Sequence, residues 1–184
     1  MGDILETDNL YMRHLDRGDA RIVRDFYAKN AVEFARYEPL SIENAENINY
    51  HATMLEYEDE YYKNGTMVRY YLFEKNNPLT IVGTVSFRSI SQAYYKSAIL
   101  GYKIDRDYRR RGYARESIER GLVVMDNDLG LHRIEATVMP ENIASINLLE
   151  SIGFEREGLL KDKFKLNGKW EDHYLFAFIF PWNE

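Results

Sequence analysis

Between Met67 and Ile104 three short runs rich in Tyr, Val, Ile, Phe and Thr follow one another, Met67–Glu74, Thr80–Arg88 and Lys96–Ile104, with only Asn76-Asn77-Pro78 and Ser89–Ala93 between them. Connections this short cannot house a crossover helix, so the runs are expected to pair as successive antiparallel strands. Helical patterns flank the block on both sides, which dictates an α+β sheet with helices packed on its faces. Upstream, Leu10–Leu15 reads as a first strand, and Asp16 or Asp19 caps a helix with Ile22, Val23 and Phe26 at helical spacing. A second helix follows Ser41, running from Glu43 to Tyr62 with Ile48, Ala52 and Leu55 on one stripe and Gly65 past its end. Downstream, Ile118, Leu122, Met125 and Leu129 mark a helix from Ala114 to Leu129 that Gly130 stops. Arg133–Val138 is a short strand, Asn142 caps another helix, and Gly153 ends it. Asn167-Gly168 joins Leu159–Leu166 to Trp170–Phe180 as a hairpin.

No internal repeat, low-complexity tract or Pro/Ser-rich linker interrupts the chain, so residues 1–184 are expected to form a single domain. The absence of Cys excludes disulfides, thiolate metal sites and a Cys nucleophile, and suits a reducing cytoplasm, the expected location. Asp3, Glu6 and Asp8 open a segment that is no signal peptide. No run approaches the apolar length needed to cross a bilayer, so a soluble protein without a membrane partner is expected. A net charge of −6 disfavours nucleic acid as a partner and favours a cation such as an amine. His14, His51 and His132 have no spacing with carboxylates that would build a metal site, and no metal is expected.

The chemistry concentrates where a strand, Ile99–Ile104, passes through Asp105–Tyr108 into Arg109-Arg110-Arg111-Gly112-Tyr113-Ala114 and a helix. A helix start offers unpaired N–H groups and a positive dipole end, suited to a phosphate. Gly112 lets the backbone approach a ligand, small Ala114 avoids a clash in the first turn, and Arg109, Arg110 and Arg111 can add charge-assisted contacts. The plainer reading is a solvated basic turn. Basic side chains at a helix N-terminus oppose its dipole, however, and a bound anion explains three of them together. A second constellation, Asn142-Ile143-Ala144-Ser145-Ile146-Asn147-Leu148 through Gly153-Phe154, follows the next strand.

In order, a strand, an Arg-x-x-Gly-x-Ala helix, a strand, an Asn-x-x-Ser-x-x-Leu helix and a Gly-Phe strand resemble the GNAT acetyltransferase family over essentially the whole chain. The opening Glu6-Thr7-Asp8-Asn9-Leu10-Tyr11-Met12-Arg13 and the segment Leu166–Asp172 are similar to the branch that contains the ribosomal-protein N-terminal acetyltransferases. The resemblance implies the GNAT fold, a twisted, mostly antiparallel sheet splayed between the strands ending near Ile104 and Val138, with helices on both faces. It implies acetyl-CoA as co-substrate in that split, with the pyrophosphate on Arg109–Ala114. It further implies pantetheine amides paired around Tyr102, Lys103 and Ile104, and Asn142 at the pantetheine end. The acceptor would be a primary amine, either the N-terminal α-amine of a (ribosomal) protein or a polyamine, aminoglycoside or amino sugar. A non-catalytic acyl-CoA sensor is the reading from another class. A homodimer is compatible with the family, but no residue here marks an interface.

Acetyl transfer needs a neutral amine near the thioester, a donor for the developing oxyanion and a proton for the leaving sulfur. A backbone N–H near Tyr102–Ile104 suits the oxyanion. In the resembled branch a Ser at the position of Ser145 acts as the acid, although a Ser in a first helical turn also commonly serves a backbone group. Many family members carry a Tyr acid four positions before the Gly-Phe pair, where this chain has Leu149. Where the branch can place a basic Glu, this chain has Phe164. Glu135 is the candidate base in the strand bordering the split. Asp172, His173 and a relay through solvent remain as alternatives. The acidic, aromatic segment Glu56–Tyr62 is either an acceptor wall or a solvated helix face.

Overall fold

The computed structural model describes residues 2–39 and 41–181. The central runs form β3 (Val68–Glu74), β4 (Asn77–Ser91) and β5 (Ser97–Ile104), paired antiparallel in sequence order. Before them stand β1 (Ile4–Glu6), β2 (Leu10–Arg13), α1 (Ala20–Phe34), α2 (Ile42–Glu46) and α3 (Ile48–Lys63). After them come α4 (Tyr113–Asn127), β6 (Arg133–Val138), α5 (Ile143–Ile152), β7 (Glu155–Leu166) and β8 (Lys169–Ile179). One sheet results, in the order β1-β2-β3-β4-β5-β6-β8-β7.

Alternation along β3 explains why helices cover both faces. Val68, Tyr70 and Leu72 point into a core built with Ile118, Leu122 and Met125 of α4 and Ile146 and Leu149 of α5. Tyr71 and Phe73 point the other way, into a second core with Val23, Phe26 and Phe34 of α1 and Leu55 of α3. Successive side chains of a strand face opposite sides, so one β-rich run serves two cores at once. Helix α4 lies close on β4: a Cβ on Gly121 would stand 2.5 Å from the Phe87 ring.

The feature that positions the site is the one parallel pair among the described residues. β5 and β6 match at Ser97↔Arg133, Ala98↔Ile134 and Ile99↔Glu135, and no further. Beyond that point β5 stays with β4 as far as Ile104↔Gly83, while β6 stays with β8 as far as Val138↔Tyr174. The sheet therefore splays between Ile104 and Val138, as expected, and leaves one backbone edge of β5 without a strand partner.

Four boundaries differ from the sequence reading. The helix expected over Glu43–Tyr62 is two, because Asn47 ends α2 and its side chain accepts from Asn49 N (2.9 Å) and Tyr50 N (3.2 Å), restarting the chain as α3. An Asn side chain competes with the helical ladder in this way. The turn between β3 and β4 is Lys75-Asn76. Pro78 lies within β4, where a register shift between Phe73 and Glu74 relieves it of a ladder bond. β1 was unmarked, and pairs with β2 through the Thr7–Leu10 turn. β7 begins at Glu155 rather than Leu159; as an almost wholly exposed edge strand it carries no alternation to read. No helix among the described residues is long and apolar enough to cross a membrane.

Candidate active site

On leaving β5 the chain meets Asp105, whose buried carboxylate organises the next turn. It accepts from Lys29 Nζ (2.9 Å), Asn30 Nδ2 (3.1 Å) and Asp107 N (2.9 Å), while Asn30 Oδ1 receives Arg106 N at 3.1 Å. The three arginines that follow separate. Arg109 reaches Glu33 of α1 at 2.7 Å and holds that carboxyl below its ordinary pKa. Arg111 reaches Glu74 at the end of β3 at 3.0 Å and the Asp107 carbonyl at 3.3 Å. Arg110 is exposed, has a left-handed φ of 61° and forms no ion pair with any described residue. Gly112 takes φ 84° at the N-cap of α4. The first backbone bond of the helix is Glu116 N to Gly112 O at 3.0 Å, so the N–H groups of Tyr113, Ala114 and Arg115 have no acceptor among the described residues. This is a partly exposed cradle of N–H donors at a positive helix end, open at a left-handed glycine, and it fits a pyrophosphate.

Along the free edge of β5, the side chains alternate. Tyr102 and Ile104 pack against the core of α4 and α5, whereas Lys103 turns to the opposite face, 2.5 Å from Glu38 Oε2 and 4.8 Å over the Tyr27 ring. The Tyr102 hydroxyl lies 2.6 Å from Ser145 Oγ. Burial pushes the Tyr102 phenol up to about 12, against a smaller opposing effect of Ser145. Asn142 caps α5, its Oδ1 accepting from Ser145 N at 3.2 Å. The structure thus brings Tyr102, Asn142 and Ser145 together at the split.

Glu135 stands at the apex of the split, level with Ile99, and its carboxylate takes Arg133 Nε at 2.7 Å. Arg133 also binds Glu157, and these carboxylates raise its already high pKa. His173 is buried: its Nδ1 lies 3.1 Å from the Glu171 carbonyl and its ring meets the edge of Phe164. Asp172 accepts from Asp162 N at 2.8 Å. Among the described residues no three His, Cys, Asp or Glu side chains gather as a metal site would require.

Behind Lys103, on the side of α1 and α3, lies a cavity of about 180 Å³. Tyr50, His51, Met54 and Glu58 line it from one face of α3, Tyr27 and Glu38 from the α1 side, and Arg69 and Tyr71 from β3. Arg69 and Glu58 pair at 3.2 Å, Tyr71 donates to Glu58 at 3.0 Å and Arg69 to the Tyr27 hydroxyl at 2.8 Å. His51 sits on the Ala45 carbonyl at 2.9 Å, and burial holds its pKa below the ordinary value. Of this group the sequence reading marked Glu58, within Glu56–Tyr62, and missed the rest, whose trace was the helical spacing of Tyr50, Met54 and Glu58. Elsewhere in that segment Glu56 pairs with Arg17 and Asp59 with Lys63.

A sheet splayed at its parallel pair, with an N–H cradle at one lip and a capped Ser helix at the other, defines an acyl-CoA transferase site. Residues 9–155 match the acetyltransferase (GNAT) domain, and the chain belongs to that family: it is an acetyl-CoA-dependent N-acetyltransferase. It is 30% identical over 177 residues to the [ribosomal protein uS5]-alanine N-acetyltransferase of Escherichia coli (strain K12), covering 96% of this chain and 91% of that one. A ribosomal-protein-S5-alanine acetyltransferase of known structure from Vibrio fischeri superposes with a TM-score of 0.89 at 27% identity, over 96% of both chains. Mycobacterium smegmatis RimJ, solved in complex with CoA-disulfide, shares the fold with a TM-score of 0.88 at 23% identity, over 96% of this chain and 86% of that one.

Proposed function

We propose that the acceptor is the α-amino group of a protein N-terminus, as in the ribosomal-protein acetyltransferases to which the chain is similar. The carrying observation is the cavity behind Lys103, where two cations, Lys103 and Arg69, are matched by two carboxylates, Glu38 and Glu58. A polyamine needs an excess of negative charge along its length. An N-terminal residue, with one amine and a row of peptide carbonyls, suits a small wall of mixed sign with tyrosine hydroxyls.

Acetyl-CoA, when bound, supplies an activated thioester. The N–H groups of Tyr113, Ala114 and Arg115, freed by the turn at Gly112, hold the pyrophosphate, and Arg110 adds a cation. Arg109 and Arg111 keep the cradle in shape. The free edge of β5 from Tyr102 through Lys103 to Ile104 pairs the pantetheine amides, and an N–H on that edge faces the carbonyl oxygen as it gains charge. Asn142 fixes the start of α5, and Ser145 gives its proton to the departing sulfur. The acceptor nitrogen loses its proton through water toward Glu135, whose carboxylate also holds Arg133 Nε.

Thiol release measured with acetyl-CoA and a panel of amines tests this reading. Peptides with a free N-terminus are expected to turn over, the same peptides blocked at the N-terminus to be inert, and spermidine or aminoglycosides to be at least about tenfold slower. Faster release with a polyamine overturns the acceptor. Acetyl-CoA binding with no release on any amine favours the sensor.

A further inference from the structure

The serine of the α5 first turn behaves unlike two other helical serines. Ser117 and Ser151 donate back to carbonyls three residues earlier, Ala114 at 3.0 Å and Leu148 at 2.7 Å. The corresponding carbonyl for Ser145 is that of Asn142, which already accepts from Ser145 N (3.0 Å) and Ile146 N (3.1 Å). With both lone pairs taken, it has no room for a third donor. The Ser145 hydroxyl is thereby released from its own helix. Its one side-chain partner among the described residues is the Tyr102 hydroxyl at 2.6 Å.

That contact spans the split. Tyr102 belongs to β5 and Ser145 to the helix after β6, and these strands part beyond Ile99↔Glu135. Between two hydroxyls one must donate. The geometry allows either to be the donor, and a phenol, a far stronger acid than an alcohol, is the better one.

We propose that Tyr102 is a positioning residue for Ser145: it donates across the split to Ser145 Oγ and so turns the single serine proton toward the thioester sulfur. This rests on the transferase reading and adds a part no motif marked. The chain has Leu149 in α5 and brings a tyrosine to Ser145 from a strand. As the amine nitrogen bonds to the acetyl carbon, the carbon–sulfur bond breaks and the sulfur takes its electron pair. The Ser145 proton goes to sulfur, and the Tyr102 proton follows onto Ser145 Oγ. The proton that the acceptor nitrogen gives up toward Glu135 returns through water to Tyr102, leaving both hydroxyls and the carboxylate as they began. Hydrogen bonds in such a chain polarise and strengthen one another.

The test is a double-mutant cycle of Tyr102→Phe and Ser145→Ala on the full chain, read by kinetics and by calorimetry. Tyr102→Phe is expected to lower kcat about tenfold or more, with the KM for acetyl-CoA within about threefold, and the double variant to be no slower than Ser145→Ala alone. Wild-type protein is expected to bind CoA about fivefold more tightly than desulfo-CoA, which lacks the sulfur, and either variant to abolish that preference. Unchanged turnover in Tyr102→Phe, additive losses in the double variant, or a sulfur preference that survives in Tyr102→Phe overturns the proposal while leaving the transferase intact. Failure of the wild-type chain to bind acetyl-CoA overturns the transferase reading, and this proposal with it.

Discussion

Arg109 and Arg111 each end on a carboxylate from a distant element, and this is how a helix tolerates three arginines at its positive end. Glu74 is buried and is shared by Arg111 and the Tyr113 hydroxyl. Arg111→Ala leaves that carboxylate with a neutral partner alone. Because Arg111 is half exposed, the expected loss is small, read as a modestly lower midpoint in a urea titration. Arg110→Ala is expected to leave stability within about 0.5 kcal/mol and to weaken acetyl-CoA about tenfold by calorimetry, with a shallower salt dependence. Gly112→Ala separates the two effects at one position. A Cβ there meets nothing within 4 Å, so the cost to folding is the left-handed φ of 84°, about 1–2 kcal/mol. The loss of cofactor affinity is expected to exceed that, because the methyl group stands where the phosphate approaches. The motif Arg-x-x-Gly-x-Ala was legible in the sequence, but the division of its arginines was not, since Glu33 and Glu74 carry no mark of their distant partners.

Elements with a clean period were readable. β5 and α4 announce themselves because their buried positions recur at two residues or at a helical turn, and β3 because its run of aromatic and branched residues is buried on both faces. Where a single side chain decides, the period is silent. Asn47 splits one apolar stripe into α2 and α3, and Asn47→Ala is expected to cost about 1 kcal/mol through loss of the cap, seen as a lowered melting temperature. Gly121, within the helical pattern of α4, makes sense only beside Phe87. Alanine ordinarily favours a helix by about 1 kcal/mol over glycine. Here the added methyl group is expected to reverse the sign and cost about 1–3 kcal/mol, because the ring 2.5 Å away is fully buried and cannot withdraw. The cavity was missed for a related reason. Tyr50, His51 and Glu58 look like an ordinary polar face of α3 until β3 supplies Arg69 beneath them and β5 supplies Lys103.

Across the whole molecule the two cores give the proposed site two sides, the N–H cradle and Ser145 by α4 and α5, the proposed acceptor cavity by α1 and α3. His51 ties the second side to pH. Burial holds its folded pKa below the ordinary 6.5, so as pH falls the unfolded chain takes up the proton first. Its contribution is complete above about 6.5 and is lost on acidification from there down to its folded pKa. Melting temperatures at pH 7.5 and 5.5 are expected to fall more for the wild type than for His51→Gln. Carboxylates held low by arginines, such as Glu33 by Arg109 and Glu157 by Arg133, lose their contributions only at more acid pH. The turn after β5 has a different dependence. Lys29, Asn30 and Glu33, neighbours on one face of α1, hold Asp105, Asp107, Arg106 N and Arg109 in turn. The shape of the phosphate cradle is therefore written in a helix more than seventy residues earlier. A transplant of Arg106–Ala114 alone into another strand–helix junction would carry the motif and leave its mould behind. The smallest portable form of this donor site includes α1.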